Sequence, residues 1–425
     1  MYTSELKYYE YTVAEGVGAA TEKTREYIGN KVLSSLSFPA SLQEIGQYNF
    51  RNVTDLTKVV FADGTENLIF GTGTFYTTFA YAGPELSVTF SANIYEIGSQ
   101  FFANKNLTGI TFPAGSRLSS IGRQAFSVVT SGASIPAFDT ITLPSTVTSL
   151  FGDTTSGFKG NAFYGYINLK KFEVVGSDGP LSAENGLLYM SDETGAKKLY
   201  RVPNGYAPVD GVLTISDIAG VAANAVNHNA NISEIVVSNV DSLDDYCFAG
   251  MTGLTSATIN GVETIGTGIF MEDVLLQTFI TDENFTVVPA SMFKGCTNFA
   301  QFNYFANVTE IGGTAFSGAA ITGEVTMPKL VKLGASAFLN CKGITAVTLG
   351  ANTETIGNSA FQGCSSLKTL VIEGNKVKTI GNINVLNSTP FKDADSGAKI
   401  VVKKELVEAY KADEKWSSYA DYFVA

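Results

Sequence analysis

Charge is scarce in this chain. Only 16% of its 425 residues are Asp, Glu, Lys or Arg, well below the usual quarter. Thr, Ser, Asn and Gly carry the polar share instead, which suits strands and turns better than long solvated helices. Positive charge is scarcest, with 28 Lys and Arg against 40 Asp and Glu, a net charge of −12. No basic cluster interrupts that balance, so a phosphate backbone or an anionic lipid surface would be repelled. No run of about 18 apolar residues is present, so no helical membrane span is expected. The opening "MYTSELKYYEYTVAEGVG" has neither the basic start nor the apolar centre of a signal peptide. Two readings follow: a cytosolic protein, or a mature secreted chain whose leader has been removed. Four cysteines in this length are no disulfide scaffold, and without a C-x-x-C pair they make zinc remote. Dinucleotide, Walker and G-x-S-x-G signatures are also missing, so nucleotide and acyl-transfer chemistry lack support.

What is there is repetition. Apolar residues make up 45% of the chain, enough for a large core. An Ile-Gly-like landmark recurs at Ile45, Ile97 and Ile121, then at Ile218, Leu243, Ile265, Val288, Ile311, Leu333, Ile356 and Ile380. Phe follows it by a few residues, as in Phe50, Phe102, Phe126, Phe248, Phe270, Phe293, Phe316, Phe338 and Phe361. Then comes an apolar-x-x-apolar-x-apolar stretch such as "LTSATI" or "LKTLVI", which reads as a half-buried strand. One such unit cannot bury its apolar edge alone, so units must stack as a solenoid of about thirteen coils joined by parallel strands. Gly after Ile is expected to provide a tight corner or a positive φ. Pro39, Pro113, Pro144 and Pro328 are expected to end strands and turn the chain. Units are poorly spelled from Gly71 to Pro84 and stretched from Leu150 to Asn161.

The units "VTEIGGTAFSGAAITGEVTMP" and "TETIGNSAFQGCSSLKTLVI" resemble the BspA-like leucine-rich repeats of bacterial surface proteins. The resemblance covers about nine-tenths of the chain, from Leu33 to Val402. It implies a mostly β, α/β-type repeat solenoid of right-handed winding with a parallel sheet. "GLLYM" and "KKLYRV", joined by "SDETGA", resemble that family's β-hairpin insertion. The last strand and helix of "AKIVVKKELVEAYKADEKWSSYADYF" resemble its closing element, with Leu406, Tyr410 and Trp416 placed to cover the final coil. The expected organisation is an N-terminal cap or irregular segment (1–32), a first array (33–180), the hairpin (181–206), a second array (207–402) and a C-terminal cap (403–425). "ATEKTREYIGNKV" would be a capping helix within the first segment.

Candidate chemistry is thin. His228 is the only histidine and has no second His to build a metal or general-base site with, so it reads as a corner residue. Cys296, Cys341 and Cys364 each follow a repeat Phe by three residues, and Cys247 directly precedes Phe248. They read as small buried hydrophobes, although Cys341 and Cys364 stand at equivalent sites of adjacent coils and a disulfide there stays open. "DADSG" (Asp393–Gly397) resembles the start of a calcium loop, but Lys404 stands where its acidic twelfth ligand belongs. No catalytic residue, cofactor or metal site is expected.

Outward strand positions are the more useful set: Lys171, Glu173, Glu234, Ser256, Thr258, Gln277, Phe279, Gln301, Asn303, Thr348 and Thr369, with Val236, Ala346 and Val371 among them. Phe279 stands out as a large apolar side chain that an outward register would offer to a partner. The resemblance implies a secreted or cell-surface, monomeric adhesion protein without enzymatic activity, binding a protein or glycan of the host or a neighbouring cell. A passive cell-envelope spacer is the alternative. A carbohydrate-active parallel β-helix enzyme is the third reading, and it needs a placed pair of carboxylates that the sequence does not display.

Overall fold

A computed structural model of the chain describes residues 34–50, 53, 55–75, 85–103, 106–128, 137–150, 162–163, 165–375, 379–380, 385–392 and 396–425. The expected N-terminal helix, the stretched loop after Leu150 and the acidic residues of "DADSG" lie outside the described residues.

The chain winds as a mostly β, parallel-sheet solenoid of about 15 turns, somewhat more than the thirteen read from the landmarks. Each coil offers strand at two places. In the first array one ladder pairs Ser35–Phe38, Lys58–Phe61 and Ser87–Thr89, and a second pairs Glu44–Ile45, Leu68–Phe70, Ile94–Ile97 and Ser120–Ile121. A bridge from Leu86 to Leu107 leads the first ladder on to Ile110–Thr111, Thr140–Pro144 and Lys171–Val175. Near the middle the two ladders fuse. Val212–Val221, Glu234–Leu243 and Ser256–Ile265 are ten-residue strands that cross both places. Beyond them the ladders separate again, one ending on Lys399–Val401 and Phe423–Val424.

The register corrects one landmark. Val221, not Ile218, stands opposite Leu243, which in turn faces Ile265; Ile218 faces Val240 in a different row. The coil is therefore 22 residues here, as at Glu234↔Ser256, and the irregular first step of the reading disappears.

The glycines after the landmark act differently from expectation. None of Gly98, Gly122, Gly312, Gly334 and Gly357 has a positive φ. Each instead lies against the backbone of the preceding coil: a Cβ on Gly334 would meet Gly312 C at 2.5 Å, and one on Gly357 would meet Ala335 N at 2.3 Å. Left-handed backbone falls elsewhere. Three residues after the landmark stand Tyr48, Gly73, Gln100, Gln124, Asn224, Tyr246, Gly268, Ser291, Thr314, Ser336 and Ser359, with φ from 54° to 65°. Seven after it stand His228, Gly250, Glu272, Gly295, Gly318, Asn340 and Gly363, with φ from 56° to 78°. These two bends carry the non-strand side of each coil, and that side is bonded from coil to coil as well. Phe293 N donates to Ala315 O (2.7 Å), Phe316 N to Ala337 O (2.8 Å) and Phe338 N to Ala360 O (2.8 Å). Turns that begin at Pro39, Pro113 and Pro144 close with bonds to their carbonyls from Leu42, Ser116 and Val147.

The repeat phenylalanines form stacks. Phe248, Phe270, Phe293, Phe316, Phe338 and Phe361 lie ring on ring, 5.2–5.9 Å apart and 4–17° from parallel. Phe50, Phe75, Phe102, Phe126 and Phe163 do the same in the first array. The core is nevertheless divided in two. In the hairpin, Leu187–Ser191 and Lys197–Arg201 pair antiparallel, and Leu187 packs into the core of the second array while Leu188 packs into that of the first. Adjacent residues of a strand point to opposite faces, so the hairpin is a wall shared by both cores. At the far end Tyr410, Trp416 and Tyr419 are buried over the last coil and Leu406 is half-buried against it. The one α-helix there is Val407–Lys411.

Candidate binding surface

Strand alternation turns two rows of side chains outward in the fused region. One row is Val212, Glu234, Ser256 and Thr278; the other is Thr214, Val236, Thr258 and Ile280. Between them the core row Leu213, Ile235, Ala257 and Phe279 is buried. Phe279 is thus 5% exposed, ringed by Phe270, Phe285, Phe293 and Phe302. The outward register expected for it is wrong by one residue. The coil reaches this strand in 22 residues, with Ser256 opposite Thr278, and the extra residue of the 23-residue step to Val288 falls after the strand. Ile280, 46% exposed, takes the outward place instead. Gln277 is exposed but precedes the strand.

The other expected positions fall into separate patches. Lys171 and Glu173 lie exposed on the last strand of the first array, 2.6 Å apart as an ion pair. Gln301 and Asn303 are exposed in a segment without strand, so they extend neither row. Thr348 and Thr369 belong to a second outward face, where Thr348 stands between Thr326 and Val371, and Thr369 between Ala346 and Lys399. Only Glu234, Ser256 and Thr258 sit together with Val236 as one surface.

Buried groups account for the remaining sequence candidates. Cys296 Sγ donates to Phe270 O (3.0 Å), Cys341 Sγ to Phe316 O (2.9 Å) and Cys364 Sγ to Phe338 O (3.1 Å). Each thiol thus bonds the preceding coil, and all four cysteines are free. Burial raises their pKa values, that of Cys364 to about 12. His228 is half-buried at a left-handed corner, its ring against Gly250. Among the described residues no group of three or more His, Cys, Asp or Glu is placed to hold a metal ion, and no helix is long and apolar enough to cross a membrane.

Two buried polar groups were missed. Asp273 occupies the position of Cys296, Cys341 and Cys364 in its own coil, three residues after Phe270, so aligning the landmarks finds it. Arg201 is 3% exposed and lies where the hairpin meets the second array. Its guanidinium donates to Asn224 O (2.5 Å), Asn227 Oδ1 (2.8 Å) and Asn204 Oδ1 (2.9 Å). Nothing in its local sequence signals burial, because its partners come from another coil.

Comparison with known proteins agrees with this geometry. The family model described as BspA type leucine rich repeat region matches residues 25–127, 76–177, 220–332 and 286–401. The chain belongs to the BspA type leucine-rich repeat family. A leucine-rich repeat protein from Eubacterium ventriosum ATCC 27560 has a similar fold, at 22% identity and TM-score 0.58, covering 84% of this chain and 82% of that one. A leucine-rich repeat protein from Bacteroides ovatus ATCC 8483 matches at 18% identity and TM-score 0.47, over 92% of both chains. No curated protein matches the sequence.

This BspA type repeat chain also has a groove that the sequence did not reveal. It measures about 730 Å³ and lies between the hairpin, at Tyr189 and Gly195–Lys197, and the strand segment Thr214–Ala219. Lys197 reaches across its hairpin side to Glu184 at 2.5 Å and lies 4.3 Å from the centre of the Tyr189 ring.

Proposed function

We propose that the chain is a non-enzymatic cell-surface protein that binds a protein or glycan partner on the outward face of its fused strands. The observation that carries this reading is the pair of rows Val212–Glu234–Ser256–Thr278 and Thr214–Val236–Thr258–Ile280. They form one continuous surface of small polar and aliphatic side chains ending on an exposed Ile280. Membership of a family of bacterial surface repeats supports the location at the cell surface. Glu234 is the one carboxylate in the two rows, whereas glycan cleavage needs two placed acids, so binding is favoured over catalysis. The partner belongs to the host or to a neighbouring cell.

Purified protein screened against immobilised matrix proteins, mucins and glycans tests the reading. A saturable interaction lost in an Ile280→Glu, Thr258→Arg variant of unchanged melting temperature is the expected result. Silence across the panel would move the assignment to a passive spacer of the cell envelope.

A further inference from the structure

The strand Val212–Val221 is bonded unequally on its two sides. Towards the next coil it pairs from Val212 to Val221 with Glu234–Leu243. Towards the hairpin it pairs only at Gly220 and Val221, with Lys198 and Leu199. Its first eight residues therefore have no strand partner on that side among the described residues. The groove opens there. It is lined by six consecutive residues, Thr214 to Ala219. A sheet face contributes alternate residues to a surface; an unbroken run means that the groove meets the edge of the strand.

The direction of the backbone groups follows from the printed bonds. Gly211 O accepts from Ser233 N and Val221 O from Asp244 N, so odd-numbered residues bond the next coil. Ala222 N donates to Leu199 O on the hairpin side. Alternation then turns the N–H and C=O of Thr214, Ser216 and Ile218 into the groove. Open edges of this length are ordinarily covered or blunted, because they accept another strand.

Charge selects what such a strand would carry. The groove is lined by Glu184, Asp217 and Asp241 against a single Lys197, and Lys197 is taken up by Glu184. Asp217 and Asp241 are exposed and form no salt bridge among the described residues. We propose that this groove is a strand-addition site for an extended peptide segment carrying a basic side chain. Main-chain hydrogen bonds to Thr214, Ser216 and Ile218 would hold the segment, and Asp217 and Asp241 would receive its cation. The site is distinct from the outward rows above and does not depend on their having a partner.

The probe is fluorescein-labelled acetyl-Thr-Val-Lys-Val-Thr-Val-amide, followed by polarisation with the full chain. Three controls accompany it: the same peptide with alternate amides N-methylated, the same peptide with Glu for Lys, and an Asp217→Asn, Asp241→Asn variant. Asn keeps the left-handed backbone that Asp217 adopts (φ 55°). We expect saturable binding, abolished by N-methylation and weakened about tenfold or more by either charge change. Hydrogen exchange should slow at the amides of Thr214, Ser216 and Ile218 when peptide is added. No saturable binding, equal binding of the N-methylated peptide, or binding indifferent to both charge changes would overturn the proposal. The Ile280→Glu, Thr258→Arg variant should bind the peptide like the parent, so failure of the outward face and failure of the groove are read separately.

Discussion

Asp273 accepts a hydrogen bond from Met251 N at 2.7 Å through Oδ1, while its Oδ2 is buried with no partner among the described residues. The side chain is fully buried, at a place where three other coils put a thiol. Burial holds its carboxyl well above the ordinary 3.8, because a charge there would lose its water without gaining a cation.

The sign of the resulting pH dependence is fixed. A carboxyl whose pKa is raised on folding gives its full contribution below 3.8 and loses it as pH rises to the raised value. Through that window stability falls by about 1.4 kcal/mol per pH unit. Asp273→Asn removes the titration. Its melting temperature should equal that of the parent in acid and exceed it progressively towards neutral pH. Asp273→Cys, matching Cys296 one coil on, should also be more stable than the parent at neutral pH. Thermal melts across pH check both.

Removing one ring from the Phe stack should cost about 3–5 kcal/mol. Phe338 is the sharpest test, since it lies 5.2 Å from Phe316 and 5.6 Å from Phe361, near parallel to both. Phe338→Ala should lower the urea midpoint and broaden the transition, because coils on either side then lose part of their coupling. Phe338→Leu should retain most of the stability.

The two kinds of repeat position that favour glycine should respond in opposite directions. Gly334→Ala places a Cβ 2.5 Å from backbone of the previous coil and should destabilise by about 1–3 kcal/mol. Ser336→Gly relieves an L-residue held at φ 54° and should stabilise by up to about 1 kcal/mol. Chemical denaturation of the two variants side by side decides whether close approach or left-handed backbone governs each position.

The four thiols should be invisible to a soluble disulfide reagent in the native protein and all titrate after unfolding, since each is buried and burial keeps it protonated. Reaction of even one thiol at the rate of a free cysteine in the folded chain would show that a coil opens.

Period and core were legible in the sequence because every coil repeats the same contacts. Phe316, Phe338 and Phe361 occur at constant spacing and stack as that spacing requires. Details that depend on where a coil takes up its extra residue were not legible. Phe279 and Ile280 are adjacent, both apolar, and exchange inside for outside with a one-residue shift. Ile218 reads like a landmark, but it sits beside a left-handed Asp217 (φ 55°), which separates the two halves of a ten-residue strand. The groove was hidden for another reason: it is made by the splaying of the hairpin from Val212–Val221, a relationship between segments and not a property of either one.

The coil-to-coil bonding has a mechanical consequence. Along the fused region each strand is bonded to one 22 residues away, and even the non-strand side bonds the next coil. Tension applied along the stack therefore loads these bonds one rung at a time, like opening a zip, instead of shearing many together. Each rung given up pays out on the order of 75 Å of chain for the roughly 5 Å it occupied. A surface repeat under drag would lengthen stepwise at low force and rewind when the load is removed.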